Sequence, residues 1–262
     1  MDISEVGTSE VGTDAVNTDE LTRARRALQR GGPLVVLSGA GMSAESGVPT
    51  FRDAQTGLWE RYDPTELATP GAWRRDRDTV WAWYRWREHL VSTAEPNAGH
   101  LAVAEAQAHR DVTVVTQNVD DLHERAGSRR VHHVHGSLFA HRCDTCAAPV
   151  DAGPPPPEPV DRLTPPLCTL CDGRARPGVV WFGESLPEAP WEAAVTAVTA
   201  ASAVVVVGTS GLVHPAASLP SLAASHGVPV VEVNPGPSGL GREVSVHLRA
   251  PAGQVLPALL DR

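Results

Sequence analysis

The 262-residue chain contains no lysine, so all 22 of its Lys and Arg residues are arginines. Its formal net charge is −9, which leaves it without the broad basic face that affinity for a nucleic-acid backbone needs, and no nucleic-acid partner is expected. Long hydrophobic runs are missing too. The longest, "SAVVVVGTS", is strand-sized and far short of the roughly 20 apolar residues that span a bilayer. The amino terminus, "MDISEVGTSEVGTDAVNTDE", is acidic and lacks the apolar centre of a signal peptide, so residues 1–18 read as a disordered acidic tail. These absences predict a soluble, cytoplasmic protein with no membrane partner. Aromatics make up 5% of the chain, yet the seven tryptophans outnumber tyrosine and phenylalanine together, and they cluster. Cysteine is limited to four residues, a number that in an intracellular chain points to metal ligands before disulfides.

What remains is the pattern of an α/β protein. The stretches "PLVVLSG", "VTVVTQN", "PGVVWFG", "AVVVVGTS" and "VPVVEVNP" are continuous apolar runs, the signature of strands buried on both faces. A helix over Asp19–Gln29 precedes the first run, and helical stretches lie between several of them, at Gly99–Arg110 and Pro190–Ala201. This alternation predicts a mostly parallel sheet with helices on both faces. Two segments break the rhythm: an arginine- and tryptophan-rich helical excursion over residues 60–95, and a Pro-rich insert over residues 140–176 that holds every cysteine.

The insert has too little apolar content for a core of its own and needs a staple. Cys143 and Cys146 form one C-x-x-C pair, Cys168 and Cys171 another, and together they can complete a tetrahedral four-thiolate zinc site. Four thiolates leave no open position, so such a zinc would be structural. A redox C-x-x-C or free buried thiols are the plainer alternatives.

Ligands of open α/β sheets bind beyond the carboxyl ends of the strands. There this chain carries "SGAGMSAESG", "TQNVDDLHERAG", "GESLP", "GTSGLVHPAAS" and "NPGPSG", loops rich in groups that bind a nucleotide. Any one of them could be a plain turn; five on one edge describe a nucleotide site. Before the insert stands "VHHVHGSL", where His135, ahead of Gly-Ser, could face a ligand and take a proton near neutral pH.

In their order, "GAGMSAESGVPTFR", "TQNVDDLH", "HGS", the two C-x-x-C pairs, "GTS" and "VNP" resemble the sirtuins, NAD-dependent protein lysine deacylases, from about Gly32 to the carboxyl terminus. The resemblance implies a Rossmann-like catalytic domain over residues 19–262 with a small zinc-binding insert. It implies NAD as a consumed co-substrate, acyl-lysine proteins or peptides as partners, and nicotinamide and O-acyl-ADP-ribose as products. It places Gly39, Ala40 and Gly41 against the pyrophosphate, Ser43 and Arg52 at phosphates, and Phe51 as a shield over the reacting ribose. The chain from Ala44 to Trp59 would loop over that half of NAD, with Trp59 on the cofactor side. Gln117 would contact ribose, and Asn118, Val119 and Asp120 would surround nicotinamide. Gly208, Thr209, Ser210, Asn234 and Ala252 would surround adenosine. His135 would be the general base.

The excursion also carries "WAWYRWRE", in which Tyr84 and Arg87 are three residues apart and share a helix face. That pair resembles the sirtuin class that removes succinyl, malonyl or glutaryl groups. A buried dicarboxylic acyl chain needs a cation and a hydrogen-bond donor for its free carboxylate. Ala54 would leave room for the longer acyl chain, and acetyl removal would remain possible. The plainer reading is a surface helix with an incidental arginine, and Arg85 lies beside the pair. Asp53 departs from the glycine of many relatives, and the Pro-rich stretch is long. Mono-ADP-ribosyl transfer and a non-catalytic NAD-sensing module are the competing functions.

Overall fold

The computed structural model describes residues 17–50, 59, 60 and 62–261. Expectations for Phe51, Arg52 and Ala54, and for the tail before residue 17, lie outside the described residues. From the amino-terminal side come α1 (Thr18–Leu28), β1 (Leu34–Ser38), α2 (Gly41–Ala44), α3 (Pro64–Leu67), α4 (Pro70–Arg75), α5 (Arg77–Thr93) and α6 (Ala98–His109). There follow β2 (Val112–Thr116), α7 (Leu122–Arg125), β3 (Val131–His133), β4 (Gly136–Cys143) and β5 (Ala175–Val179). The chain closes with α8 (Glu188–Ala200), β6 (Ala203–Val207), α9 (Leu219–Ser225), β7 (Val230–Val233), β8 (Val246–Leu248) and α10 (Ala252–Leu260).

Six strands form one parallel sheet in the order β3-β2-β1-β6-β7-β8. Alternate residues of β1, β2, β6 and β7 feed opposite cores. Val36, Val114 and Val205 join α1, α6 and α10 on one face, while Val35, Val115 and Val204 join α8 and α9 on the other. Burial on both faces is why these strands read as unbroken apolar runs.

One run belongs elsewhere. "PGVVWFG" does not enter the parallel sheet: β5 pairs antiparallel with β4, in a two-stranded ribbon whose strands lead into and out of the cysteine segment. The run is apolar because it faces a third core, in which Trp73, Trp81, Trp83, Tyr84 and Trp181 pack with α4, α5 and the ribbon. Val150, Ala152, Val160 and Leu163 of the insert lean on that same core, which supplies the apolar contact the insert lacks. β3 and β8, three residues each, complete the sheet without an apolar run to announce them.

Five helix starts, those of α1, α3, α4, α5 and α6, are written in short polar side chains. Asn17 accepts from the amides of Asp19 and Glu20 at the start of α1, and Asp76 accepts from Thr79 at the start of α5. Among the described residues no helix is long and apolar enough to cross a membrane.

Candidate functional site

β1 lies between β2 and β6, and the strand order reverses there, so the loops after β1 and β6 face one another at the topological switch point of the sheet. They meet backbone to backbone. Gly41 N donates to Gly208 O at 2.8 Å, and Gly39 N donates to Val207 O at 3.0 Å. A Cβ on Gly41 would stand 2.8 Å from Gly208 Cα, and Gly208 has a φ of +62°. Both positions need glycine, one for the close approach and the other also for its left-handed backbone. Gly39 and Ala40 make the turn, and Gly41 begins α2, a single helical turn that carries Ser43.

Around this turn, side chains from neighbouring strand ends are bonded into one network. Asn118 Nδ2 donates to Ser43 Oγ at 3.1 Å, and Ser43 Oγ donates to Asp120 Oδ2 at 2.9 Å. Asp120 Oδ1 also accepts from Leu122 N, at 3.2 Å. Ser43, Asn118 and Asp120 are all buried. Burial pushes the Asp120 carboxyl above the usual range, and the Ser43 hydroxyl opposes that shift. On the other side, Gln117 Nε2 reaches Thr209 Oγ1 at 3.1 Å and Asn234 Nδ2 reaches Thr209 O at 3.0 Å. A cavity lined by Gln117, Thr209, Val206, Gly211 and Leu240 opens at these strand ends. Ser210 O holds Gly239 N, and Ala252 is buried at the start of α10, whose Gly253 amide donates to Glu45 at 2.6 Å.

His135 stands at the corner between β3 and β4. Its Nδ1 is 3.1 Å from Gln117 O, and a carbonyl can only accept, so that nitrogen carries the proton and Nε2 is the basic one. Burial lowers the pKa of the ring, partly opposed by the Gln117 bond, and this keeps the ring neutral and able to accept a proton. Val119, next to the network, is half-buried against the aromatic core.

That core borders the site. Tyr84 is buried, edge-on to Trp83 at 4.6 Å and tilted against Trp181 at 6.4 Å; burial pushes its phenol upward. The Arg87 guanidinium lies 5.2 Å from the Trp83 ring centroid. Burial lowers the Arg87 pKa, and the charges of Tyr84 and Asp120 act against that shift. Arg85 is committed elsewhere: it pairs with Glu88 at 2.8 Å, donates to Gly153 O at 2.5 Å and stacks over Trp81 at 5.5 Å. His141 of β4 shares Glu88 at 3.0 Å, so this buried cluster fastens α5 to the cysteine insert. Trp59 is buried beside Tyr62, with its indole N–H lacking a hydrogen-bond partner among the described residues.

The four cysteine sulfurs lie within 4.8 Å of one another. Cys143 and Cys171 Sγ are 3.5 Å apart, and Cys146 and Cys168 Sγ are 3.7 Å apart. Zinc–thiolate bonds of about 2.3 Å in a tetrahedron separate sulfurs by about 3.8 Å, so this cluster fits a four-thiolate zinc. Amides of Thr145, Cys146, Leu170 and Gly173 point at sulfur, as thiolate ligands require. A Cβ on Gly173 would collide with Cys143 Sγ.

Sequence reasoning did not single out His133, which bonds Asn118 O, Glu124, which bonds His133, or Glu45, which accepts from the Gly253 amide. The signal for His133 was the doubled histidine of "VHHVHG"; Glu124 and Glu45 had none beyond their place inside the motifs.

Known proteins match this arrangement along the chain. The Sir2 family model matches residues 39–215. An NAD-dependent protein deacylase of Mycobacterium tuberculosis is 56% identical over 230 residues, covering 87% of this chain and 97% of its own. The NAD-dependent protein deacylase Sir2 of Mycolicibacterium smegmatis is 54% identical over 230 residues, 87% of this chain and 95% of its own. The crystal structure of a Sir2 homolog–NAD complex superposes with a TM-score of 0.84 at 42% identity, covering 95% of each chain. With a family model spanning more than half its length and relatives this similar over nearly their full length, the chain belongs to the Sir2 family.

Proposed function

We propose that this chain is an NAD-dependent protein lysine deacylase that removes succinyl and malonyl groups, and acetyl groups as well. The observation that carries the acyl preference is the placement of Tyr84 and Arg87 on one face of α5, Tyr84 buried against Trp83 and Trp181 and the half-buried Arg87 over the Trp83 ring, with Arg87 in the field of Asp120. A cation and a hydroxyl in an aromatic, desolvated setting suit the free carboxylate of a dicarboxylic acyl chain. Arg85, the adjacent arginine, is bound by Glu88 and Gly153 on the side of the insert.

The bond between nicotinamide and ribose in NAD breaks as the acyl oxygen takes the ribose C1′, and water enters as the acyl group leaves the amide, giving nicotinamide, O-acyl-ADP-ribose and free lysine. The residues then divide the work. Gly39, Ala40 and Gly41 leave the backbone open to the pyrophosphate. Asp120 accepts from the nicotinamide carboxamide, Asn118 lines the same pocket, and Ser43 holds both. His135 Nε2 takes the proton of a ribose hydroxyl. Gln117 contacts ribose, and Gly208, Thr209, Ser210, Asn234 and Ala252 surround the adenosine half. Phe51, Arg52 and Ala54 keep the roles that the resemblance implies. Cys143, Cys146, Cys168 and Cys171 would hold the zinc with no position open to substrate, a structural ion outside the chemistry.

The test is a side-by-side rate comparison on acetyl-, succinyl- and malonyl-lysine peptides with NAD, read by mass spectrometry. Faster loss of the dicarboxylic acyl groups, with O-acyl-ADP-ribose formed, is the expected result. A gain of peptide mass would mean ADP-ribosyl transfer, and no nicotinamide release would mean a non-catalytic module. Either outcome overturns the proposal.

A further inference from the structure

Two histidines of "VHHVHG" bond successive carbonyls of the loop after β2. His135 Nδ1 meets Gln117 O and His133 Nδ1 meets Asn118 O, each at 3.1 Å. The second nitrogen of His133, Nε2, is 2.7 Å from Glu124 Oε1 on α7. A neutral imidazole has one N–H and could serve only one of these two acceptors. The imidazolium donates to both. We propose that His133, as an imidazolium held by Glu124, is a positioning residue for the nicotinamide end of the cofactor site, so that affinity for NAD falls when His133 loses its proton.

Two couplings link the ring to the site. The first is geometric: the carbonyl held by His133 belongs to Asn118, whose side chain bonds Ser43 and, through it, Asp120. The second is electrostatic. Burial favours a neutral Asp120 carboxyl, and the positive His133 opposes this, keeping the carboxylate that the nicotinamide carboxamide requires. Other groups act on the same ring. Glu124 and His123 belong to α7, Asp120 and Asp121 to the loop before it, and His132 to the same strand. Burial disfavours the His133 charge, but the hydrogen bond and charge of Glu124 outweigh it and raise its pKa above the ordinary 6.5. The imidazolium is therefore present at and below neutral pH and is lost as pH rises through that higher midpoint.

The inference rests on the reading of Asn118 and Asp120 as the nicotinamide pocket, and the experiment separates the two. NAD binding to the full chain is measured calorimetrically without acyl peptide from about pH 6 to about pH 9, while imidazole NMR follows His133. Affinity should fall roughly threefold to tenfold across the His133 midpoint, the lower part of the tenfold that one unit of coupling allows. Glu124→Gln should move that fall to lower pH. His133→Asn keeps a donor toward Asn118 O without a titrating charge and should bind NAD with a flat profile. His133→Leu, which keeps neither donor nor charge, should bind weakly at every pH; if it does not fold, the other two variants decide. A wild-type profile in His133→Asn, an unmoved midpoint in Glu124→Gln, or a neutral His133 ring at about pH 6.5 would overturn the inference. If Asn118→Ala binds NAD like the parent, the pocket reading itself fails instead.

Discussion

Replacing Gly208 by alanine puts the central contact of the site to a quantitative test. Gly208 has a φ of +62°, and its added Cβ would stand 2.5 Å from Gly41 C and 2.8 Å from Gly41 Cα. The left-handed conformation costs an L-residue about 1–2 kcal/mol. Forcing a methyl into packed backbone costs about 1–3 kcal/mol more. The expected destabilisation is their sum, roughly 2–5 kcal/mol, or roughly 4–20 °C in Tm for a chain of this size. Gly227 supplies the control. Its φ is +70°, with nothing within 4 Å of an added Cβ. It closes α9 in a Schellman turn, where Gly227 N donates to Ala224 O and Val228 N to Ala223 O. Gly227→Ala should therefore lose only the conformational part, roughly 1–2 kcal/mol, and bind NAD as the parent does. Calorimetric unfolding and NAD titration of both variants read the two components separately. Equal loss of stability in the two variants, or unchanged NAD affinity in Gly208→Ala, would refute the argument that the β1 and β6 loops share one closely packed cofactor turn.

Arg87→Met should slow succinyl removal by roughly tenfold to a hundredfold, since one charge-assisted hydrogen bond is worth about 1.5–3 kcal/mol. Acetyl removal should change little, so equal losses in the two peptide assays would count against the acyl-carboxylate role. His135→Ala should abolish turnover while leaving the circular dichroism spectrum intact. Because burial lowers the His135 pKa, kcat/KM of the parent should rise through a midpoint below the ordinary 6.5 and be flat by neutral pH, which a pH–rate profile checks. Chelation, or Cys171→Ser, should lower the melting temperature; a metal-free protein with unchanged melting would refute structural zinc. His100 is fully buried and its pKa is lowered by that burial to about 4. The unfolded chain then binds a proton near pH ~6.5 that the folded chain refuses, so stability should drop by up to roughly 3 kcal/mol as pH falls from ~6.5 to ~4. Urea unfolding at several pH values, compared with a His100→Gln variant of shallower slope, tests this.

Four parallel strands were legible because each is buried on both faces and therefore written as a continuous apolar run. The same physics misplaced β5. Its apolar residues are covered by a tryptophan cluster, and hydropathy does not distinguish that cover from helices on two faces. β3 and β8, "VHH" and "VHL", escaped notice because edge strands of three residues have no room for a pattern. In the site, the strand-end motifs pointed to Ser43, Asn118, Asp120 and Thr209, and those side chains or their backbones are bonded across strands. The sequence assigned the acyl role to Arg87 with Tyr84, and it gave no sign of what the adjacent Arg85 does. Their division depends on Glu88, His141 and the Gly153 carbonyl, partners brought together only by the tertiary fold. The same holds for His133 and Glu124, nine residues apart and on different elements.

α5 gives nearly opposite faces of one cylinder to two arginines with different employment, Arg85 bound to the insert and Arg87 over the Trp83 ring. Each residue advances the helix by about 100°. The count of residues between the Asp76 cap and this pair is therefore itself an instruction: two residues added upstream would carry Arg85 to the station Arg87 now holds, with both arginines still present. Under the proposed role of Arg87, acyl selectivity is encoded in spacing as well as identity, and a length change in α5 would alter it where many single replacements would not.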